Sequence, residues 1–132
     1  MSDMTQEELL QLTRGILNML DDWGVQAGDQ LILLGLEELP VRDLRKMKDR
    51  TALPDRPEVM MRVEHLISIA DALRTTFPFS REMGKLWMHR PNRRFRRRTP
   101  LATMIEDGLT GLISVRSHLD CAFSWDHSGS KS

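Results

Sequence analysis

Tyrosine is absent from the 132-residue chain, cysteine occurs once and phenylalanine only four times. A lone Cys121 excludes an intramolecular disulfide and a cysteine-based zinc cluster. No apolar run approaches the roughly 18 residues that a membrane-spanning helix needs, so no membrane association is expected. The first ten residues, MSDMTQEELL, carry acids where a secretory signal carries lysine or arginine. No export signal is expected, and a soluble cytoplasmic protein is the simplest reading. An excess of one charge is missing too. Nineteen Lys+Arg balance nineteen Asp+Glu, which excludes a uniformly cationic coat for nucleic acid but leaves room for a local basic patch. There is no glycine-rich phosphate loop, no GxSxG, no Walker lysine and no HExxH.

What is present points to helix. Leu, Met, Glu and Arg keep their rotamer freedom in helices, whereas strands favour β-branched and aromatic residues. The expected fold is all-α with about seven helices. The length suits one domain, or two very small ones sharing a core. The neutral total hides two unlike halves: residues 1–66 hold 13 acids and 8 bases, residues 67–132 hold 6 acids and 11 bases. Most of the positive excess lies between Arg90 and Arg98, six arginines with no acid among them.

Thr5 and Glu8 have capping-box spacing, and Leu9, Leu12, Ile16, Met19 or Leu20, and Trp23 recur at helical intervals before Gly24. A second helix is expected over Ala27–Leu34, ended by Gly35. A third starts with Pro40 in its first turn and runs to Asp49, with Val41, Leu44 and Met47 inward. Helix, short glycine turn and helix outline a helix-turn-helix. Residues 50–57 read as a proline-containing loop. The fourth helix places Val63, Leu66, Ile67, Ala70, Leu73 and Phe77 on one face and stops at Phe77-Pro78. Ser80 caps a fifth, with Met83, Leu86 and Trp87 following. His89 to Arg98 is a solvated loop anchored by Phe95. Thr99-Pro100 opens a sixth helix carrying Leu101, Met104 and Ile105. After Gly108, the residues Leu109, Leu112, Val115 and Leu119 make a seventh. The expected organisation is an N-terminal region over 1–64, a helical domain over 65–120 and a tail over 121–132 whose SGSKS end is disordered.

Catalytic chemistry is hard to find. His65, His89, His118 and His127 show no ligand spacing. His65 and His118 read as partly buried or surface residues. Cys121 has no feature that lowers a thiol pKa. The neighbours Asp21-Asp22 and Glu106-Asp107 point to different sides of their helices, so neither pair is expected to converge on one site. The chain reads as a non-enzyme with no cofactor and no metal.

Two surfaces remain. Arg42, Arg45, Lys46 and Lys48 lie on the third helix and suit phosphates or base edges of DNA. Glu37, Glu38, Asp43 and Asp49 offset them, and a plain solvated amphipathic helix is the equal alternative. The second surface is Lys85–Leu101, KLWMHRPNRRFRRRTPL. Arginine clusters bind carboxylate and phosphate in bidentate fashion and repel one another without a partner. The alternative is a charged exposed loop beside a core Trp87.

At this segment the sequence resembles the antitoxin Xre/MbcA/ParS-like toxin-binding domain. The resemblance rests on Trp87-Met88-x-x-Pro91-Asn92, Thr99-Pro100-Leu101, Gly108-Leu109 and Val115-x-x-x-Leu119, in that order. Upstream, Leu33-Leu34-Gly35-Leu36 with Val41-x-x-Leu44 is similar to the Xre-type helix-turn-helix, and Asp55-x-x-x-x-Met60-x-Arg62 to the linker that follows it. The resemblance implies a type II antitoxin whose helix-turn-helix region packs on a C-terminal helical toxin-binding domain. It implies binding to a RES-domain toxin that consumes or transfers from NAD, blockage of that toxin's active-site entrance, homodimerisation, and repression of its own operon through operator DNA. Within this reading Arg90, Asn92, Arg93, Arg94, Arg96, Arg97 and Arg98 are the residues expected to contact the toxin, on the chemistry of the arginine cluster. A DNA-binding regulator or an orphan adaptor without a toxin are the alternatives. The family's loop commonly carries glycine before Thr-Pro-Leu; here Arg96, Arg97 and Arg98 fill it, and Phe123 and Trp125 lie in an extension that could dock on the body or on a partner.

Overall fold

The computed structural model describes the backbone from Met4 to Ser128 and side chains as far as Cys121. Among the described residues it holds seven α-helices: α1 (Gln6–Asp22), α2 (Ala27–Leu34), α3 (Arg42–Asp49), α4 (Pro57–Thr76), α5 (Arg81–Met88), α6 (Pro100–Asp107) and α7 (Leu109–Ser128). A single 3-10 turn, Arg93–Phe95, and one isolated bridge between Asn92 and Arg98 complete the secondary structure. The chain divides into two compact units, one up to Glu64 and one from His65, and α4 contributes to both.

In the first unit the Thr5–Glu8 capping box forms reciprocally, at 3.1 and 2.9 Å. The buried side of α1 is Leu9, Thr13, Ile16, Leu17 and Leu20, while Leu12 and Met19 are half-buried. Thr13 is the polar member of that face. Its hydroxyl donates to Leu9 O at 2.7 Å and accepts from Leu53 N at 2.8 Å, pinning the proline-containing loop to α1. Arg14 reaches the last carbonyls of α3, Nη2 donating to Asp49 O at 2.6 Å and Nε to Lys48 O at 3.2 Å, a cation placed on the negative end of a helix. After α2, Gly35 adopts φ 74°, and the amide of the buried Leu36 donates to Leu31 O at 2.8 Å.

Helix α3 begins two residues later than expected. Pro40 lies outside it, Val41 is its N-cap without a side-chain hydrogen bond, and Val41 is 52% exposed rather than inward. Leu44 and Met47 are buried. Residues 35–41 therefore separate α2 from α3, a longer connection than the roughly three- to four-residue turn of a minimal helix-turn-helix. The reason is local: burying Leu36 immediately after the glycine cap diverts the chain through a turn, Leu39 N to Leu36 O at 2.9 Å, before helix can resume.

In the second unit α4 buries Leu66, Ile69, Ala70 and Leu73, leaving Ile67 at the surface and Phe77 half-buried. Ser80 caps α5 as expected, accepting from Met83 N at 3.3 Å. The inward face of α5, however, is Gly84 and Met88, not Met83, Leu86 and Trp87. Gly84 sits close to α4, where an added Cβ would lie 3.8 Å from Leu73 Cβ. That close approach rotates Met83 and Leu86 outward and leaves Trp87 half-buried. Thr99 caps α6 by accepting from Ala102 N at 2.9 Å, with Pro100 at its start. Gly108, at φ 63° and ψ −137°, turns the chain into α7, a conformation open essentially to glycine alone. Helix α7 continues to Ser128, so the stretch expected as a tail from Cys121 is helical for most of its length. Of the expected disordered end, residues 129–132 lie outside the described residues, as do the side chains of Phe123 and Trp125.

The tightest contact in this unit is between α6 and α7 at Gly111. A Cβ there would lie 2.3 Å from Thr103 O and 3.0 Å from Met104 Cα, both backbone. Gly111→Ala is expected to destabilise the protein by about 2–3 kcal/mol by forcing the helices apart. Gly15→Ala, at a position with no atom within 4 Å, is expected to stabilise by up to about 1 kcal/mol through helix propensity. Thermal unfolding of the two variants beside the parent checks both signs.

Candidate functional site

The segment between α5 and α6 is a built loop rather than a loose one. His89 ends α5, and Pro91 prevents its continuation. Asn92 Oδ1 accepts from Arg94 N at 2.9 Å and opens the 3-10 turn. The loop closes on itself where Asn92 N donates to Arg98 O at 3.0 Å and Arg97 N donates to Asn92 O at 3.0 Å. Between these bonds Arg96 and Arg97 both take positive φ, 58° and 67°, a region that side chains other than glycine adopt at a cost of about 1–2 kcal/mol each.

Phe95 is the anchor that the sequence suggested, at 6% exposure. Its ring meets His118 of α7 edge-on, with centroids 5.6 Å apart at 82°. His118 in turn stacks nearly parallel to Trp87 of α5, 6.0 Å away at 9°, so three elements meet on one imidazole. Burial, and secondarily the charge of Arg94, lowers the His118 pKa from its ordinary value of 6.5, and its Nδ1 is buried without a hydrogen-bond partner. The neutral ring is thus the form that fits.

Arg98 differs from the other arginines of the run. Its guanidinium forms a fork with Asp107, at 3.0 and 2.9 Å, and also donates to Glu106 at 3.1 Å, while Nε donates to Phe95 O at 3.1 Å. The hydrogen bonds from Arg98 hold the Asp107 carboxyl below its usual range, and Asp107 followed by Glu106 raises Arg98. The acidic pair expected to diverge therefore converges on one guanidinium, because Arg98 approaches the end of α6 from beyond its last turn. Of the seven residues expected to contact a partner, Asn92 and Arg98 are engaged in holding the loop. Arg90, Arg93, Arg94, Arg96 and Arg97 are exposed, and no ion pair within 4 Å involves them among the described residues. This arrangement presents five cationic forks to carboxylates or phosphates while a sixth serves as scaffold.

The α3 residues divide similarly. Lys46 pairs with Asp43 at 3.8 Å, and Lys48 pairs with Asp21. Partial burial pushes the Asp21 carboxyl up, but the hydrogen bonds from Lys48 and Gln30 and the Lys48 charge outweigh it and hold Asp21 below its usual value. Arg42 and Arg45 are exposed, without an ion pair among the described residues, and line a groove of about 430 Å³ with Val41, Gln30 and Asp21. No group of three or more His, Cys, Asp or Glu able to hold a metal ion occurs among the described residues. Cys121 is exposed, and His65 Nδ1 lies 3.0 Å from Arg116.

Sequence reasoning missed three features. Gly111 gave no motif signal, the convergence on Arg98 needed the α6 end placed in space, and the outward exposure of Met83 and Leu86 on α5 carried no sequence signal.

Residues 72–121, which include the loop and the helices that flank it, match the family described as the antitoxin Xre/MbcA/ParS C-terminal toxin-binding domain. Over 102 residues the chain is 33% identical to uncharacterized protein y4oB of Sinorhizobium fredii (strain NBRC 101917 / NGR234), an alignment covering 76% of this chain and 74% of that protein.

The His118 stack carries a sign. A histidine whose pKa is lowered by folding contributes stability that is full above its unfolded value and is lost as pH falls through the folded one. Stability is expected to decline as pH drops below about 6.5. His118→Phe keeps the ring and removes the proton site, and is expected to flatten that decline in denaturant titrations at pH 7.5 and pH 5.

Proposed function

Because the chain belongs to the antitoxin family defined by the Xre/MbcA/ParS C-terminal toxin-binding domain, we propose that it neutralises a RES-type toxin by seating its arginine loop at the entrance to the toxin's active site. The single observation that supports this reading is the display of Arg90, Arg93, Arg94, Arg96 and Arg97, exposed and without ion pairs among the described residues, on a loop held by hydrogen bonds, an aromatic stack and the Arg98 fork. Five like charges on one loop repel until acidic partner groups neutralise them, and a loop already in its bound shape loses little entropy on docking. The antitoxin inhibits by occupying space and pairing charge; it makes and breaks no bonds. In this reading residues 65–120 are the toxin-binding domain, residues 1–64 are an Xre-like region that dimerises, and the complex acts in the cytoplasm.

Operator DNA is a second ligand in this proposal, favoured by one observation: Arg42 and Arg45 stand exposed beside the exposed Val41, with no ion pair among the described residues. Lys46 and Lys48, each already paired with an acid of the chain, contribute less.

Co-expression with the product of the adjacent open reading frame is expected to yield a stable complex and to restore growth. Replacing Arg93 and Arg94 with Glu is expected to weaken the complex by on the order of tenfold or more, mainly through slower association at physiological salt. Absence of any complex rejects the antitoxin reading. For DNA, Arg42→Ala with Arg45→Ala is expected to weaken promoter binding by on the order of tenfold or more and to flatten the salt dependence of what remains; binding that ignores salt in the parent protein rejects the operator role.

A further inference from the structure

The toxin-binding proposal leaves one surface of the second unit unexplained. Phe79 is 98% exposed, Met83 48% and Leu86 49%, and the three recur at intervals of four and three along the start and length of α5. Single exposed apolar residues are ordinary, but a row of large ones on one helix face is not. Phe79 occupies the position just before the N-cap Ser80, where an apolar residue usually packs against the fourth residue of the helix as a hydrophobic staple. Here that fourth residue is Gly84, which has no side chain and is turned toward Leu73. Phe79 therefore has no local role in the entry of α5.

We infer that Phe79, Met83 and Leu86 form the apolar centre of the toxin contact, and that they receive a toxin segment that is apolar along its middle and acidic at the end lying beside the arginine loop. The polarity follows from the direction of the chain. Helix α5 ends at Met88 and leads straight into Arg90, Arg93 and Arg94, whereas the single acid of α5, Glu82, lies in its first turn. An occupant must therefore meet positive charge at the C-terminal end of α5. A second copy of this chain does not fit. Its α5 carries Arg81 and Lys85 against the one Glu82, and it would bring its own arginine loop, so self-pairing sets cation against cation. An apolar centre ringed by charged groups is also how binding energy is commonly distributed, with the centre governing dissociation and the rim governing encounter.

The inference rests on the toxin-binding reading, and one experiment separates them. Full-length protein and the co-expressed product of the adjacent gene are compared for the parent, the triple variant Phe79→Ser, Met83→Ser, Leu86→Ser, and the single variant Phe79→Ser. Binding kinetics, circular dichroism and light scattering are recorded for each. The expected result is a complex with the parent, a loss of about a hundredfold in affinity for the triple variant carried by faster dissociation, and a smaller loss for Phe79→Ser, with helical content unchanged. Hydrogen exchange is expected to slow at the α5 amides in the parent complex, a readout that holds even if the triple variant folds poorly. No complex with the parent overturns both readings. A parent complex with unprotected α5 amides, or one that Phe79→Ser and the triple variant leave within about threefold of the parent, overturns this inference alone. So does a parent dimer that the triple variant converts to monomer while toxin affinity is unchanged.

Discussion

The approach of α7 to the backbone of α6 at Gly111 is the constraint on which the C-terminal unit depends. No side chain fits between that position and Thr103 O, so the two helices meet main chain to main chain. Gly108 closes the hairpin in a backbone conformation that other residues resist. The consequence is positional. The end of α6 delivers Glu106 and Asp107 to one side of the loop, and α7 delivers His118 to the other. Arg98 and Phe95, three residues apart, are the loop's two answers to those groups. A spacer at Gly111 would move the acids and the imidazole together, and the loop would lose both of its supports.

The arginine run is therefore heterogeneous in physical terms. Arg98 has a bidentate carboxylate, a second acid and a carbonyl within reach, and Asn92 has its oxygen committed to a cap. These residues set the contour. Among the described residues the remaining five arginines carry charge without an ion pair, although Arg96 lies near enough to Asp107 to lower its pKa through charge. Counting arginines in the sequence treats all six alike. The structure separates a half-buried scaffold residue from the display, and only the display has its hydrogen-bonding forks available to another molecule.

Much of the fold was legible because its signals are local. The Thr5–Glu8 box, Gly35, Ser80 and Thr99-Pro100 each act within a few residues of themselves, and each occupies the position that its chemistry dictates. Facing was less legible. The sequence names Met83, Leu86 and Trp87 as the apolar residues after the Ser80 cap without saying which way they face; the inward side of an eight-residue helix is decided by where its neighbour can come closest, and that is Gly84. The same limit applies to Glu106 and Asp107. Adjacent side chains diverge along a helix, yet at its last turn a guanidinium beyond the end can reach both. Val41 was misplaced because a glycine cap followed by a buried leucine lengthened the connection before α3. In each case the missing information was the third dimension at a helix end, not the helix itself.

Arg96 and Arg97 pose the sharpest physical question in the loop. Both occupy the left-handed region, where glycine would relieve about 1–2 kcal/mol of backbone strain at each position. The backbone amides at this corner are already committed, Arg96 N to Arg93 O at 3.2 Å and Arg97 N to Asn92 O at 3.0 Å, so the corner is not an empty nest waiting for an anion. The side chains form no ion pair within 4 Å among the described residues. A strained backbone persists where surrounding bonds over-determine it, and such sites cluster where function requires the geometry. Here the Asn92–Arg98 bridge and the Phe95 anchor supply the over-determination. The corner thus holds two guanidinium groups at a fixed geometry, the arrangement on which the proposed toxin contact draws.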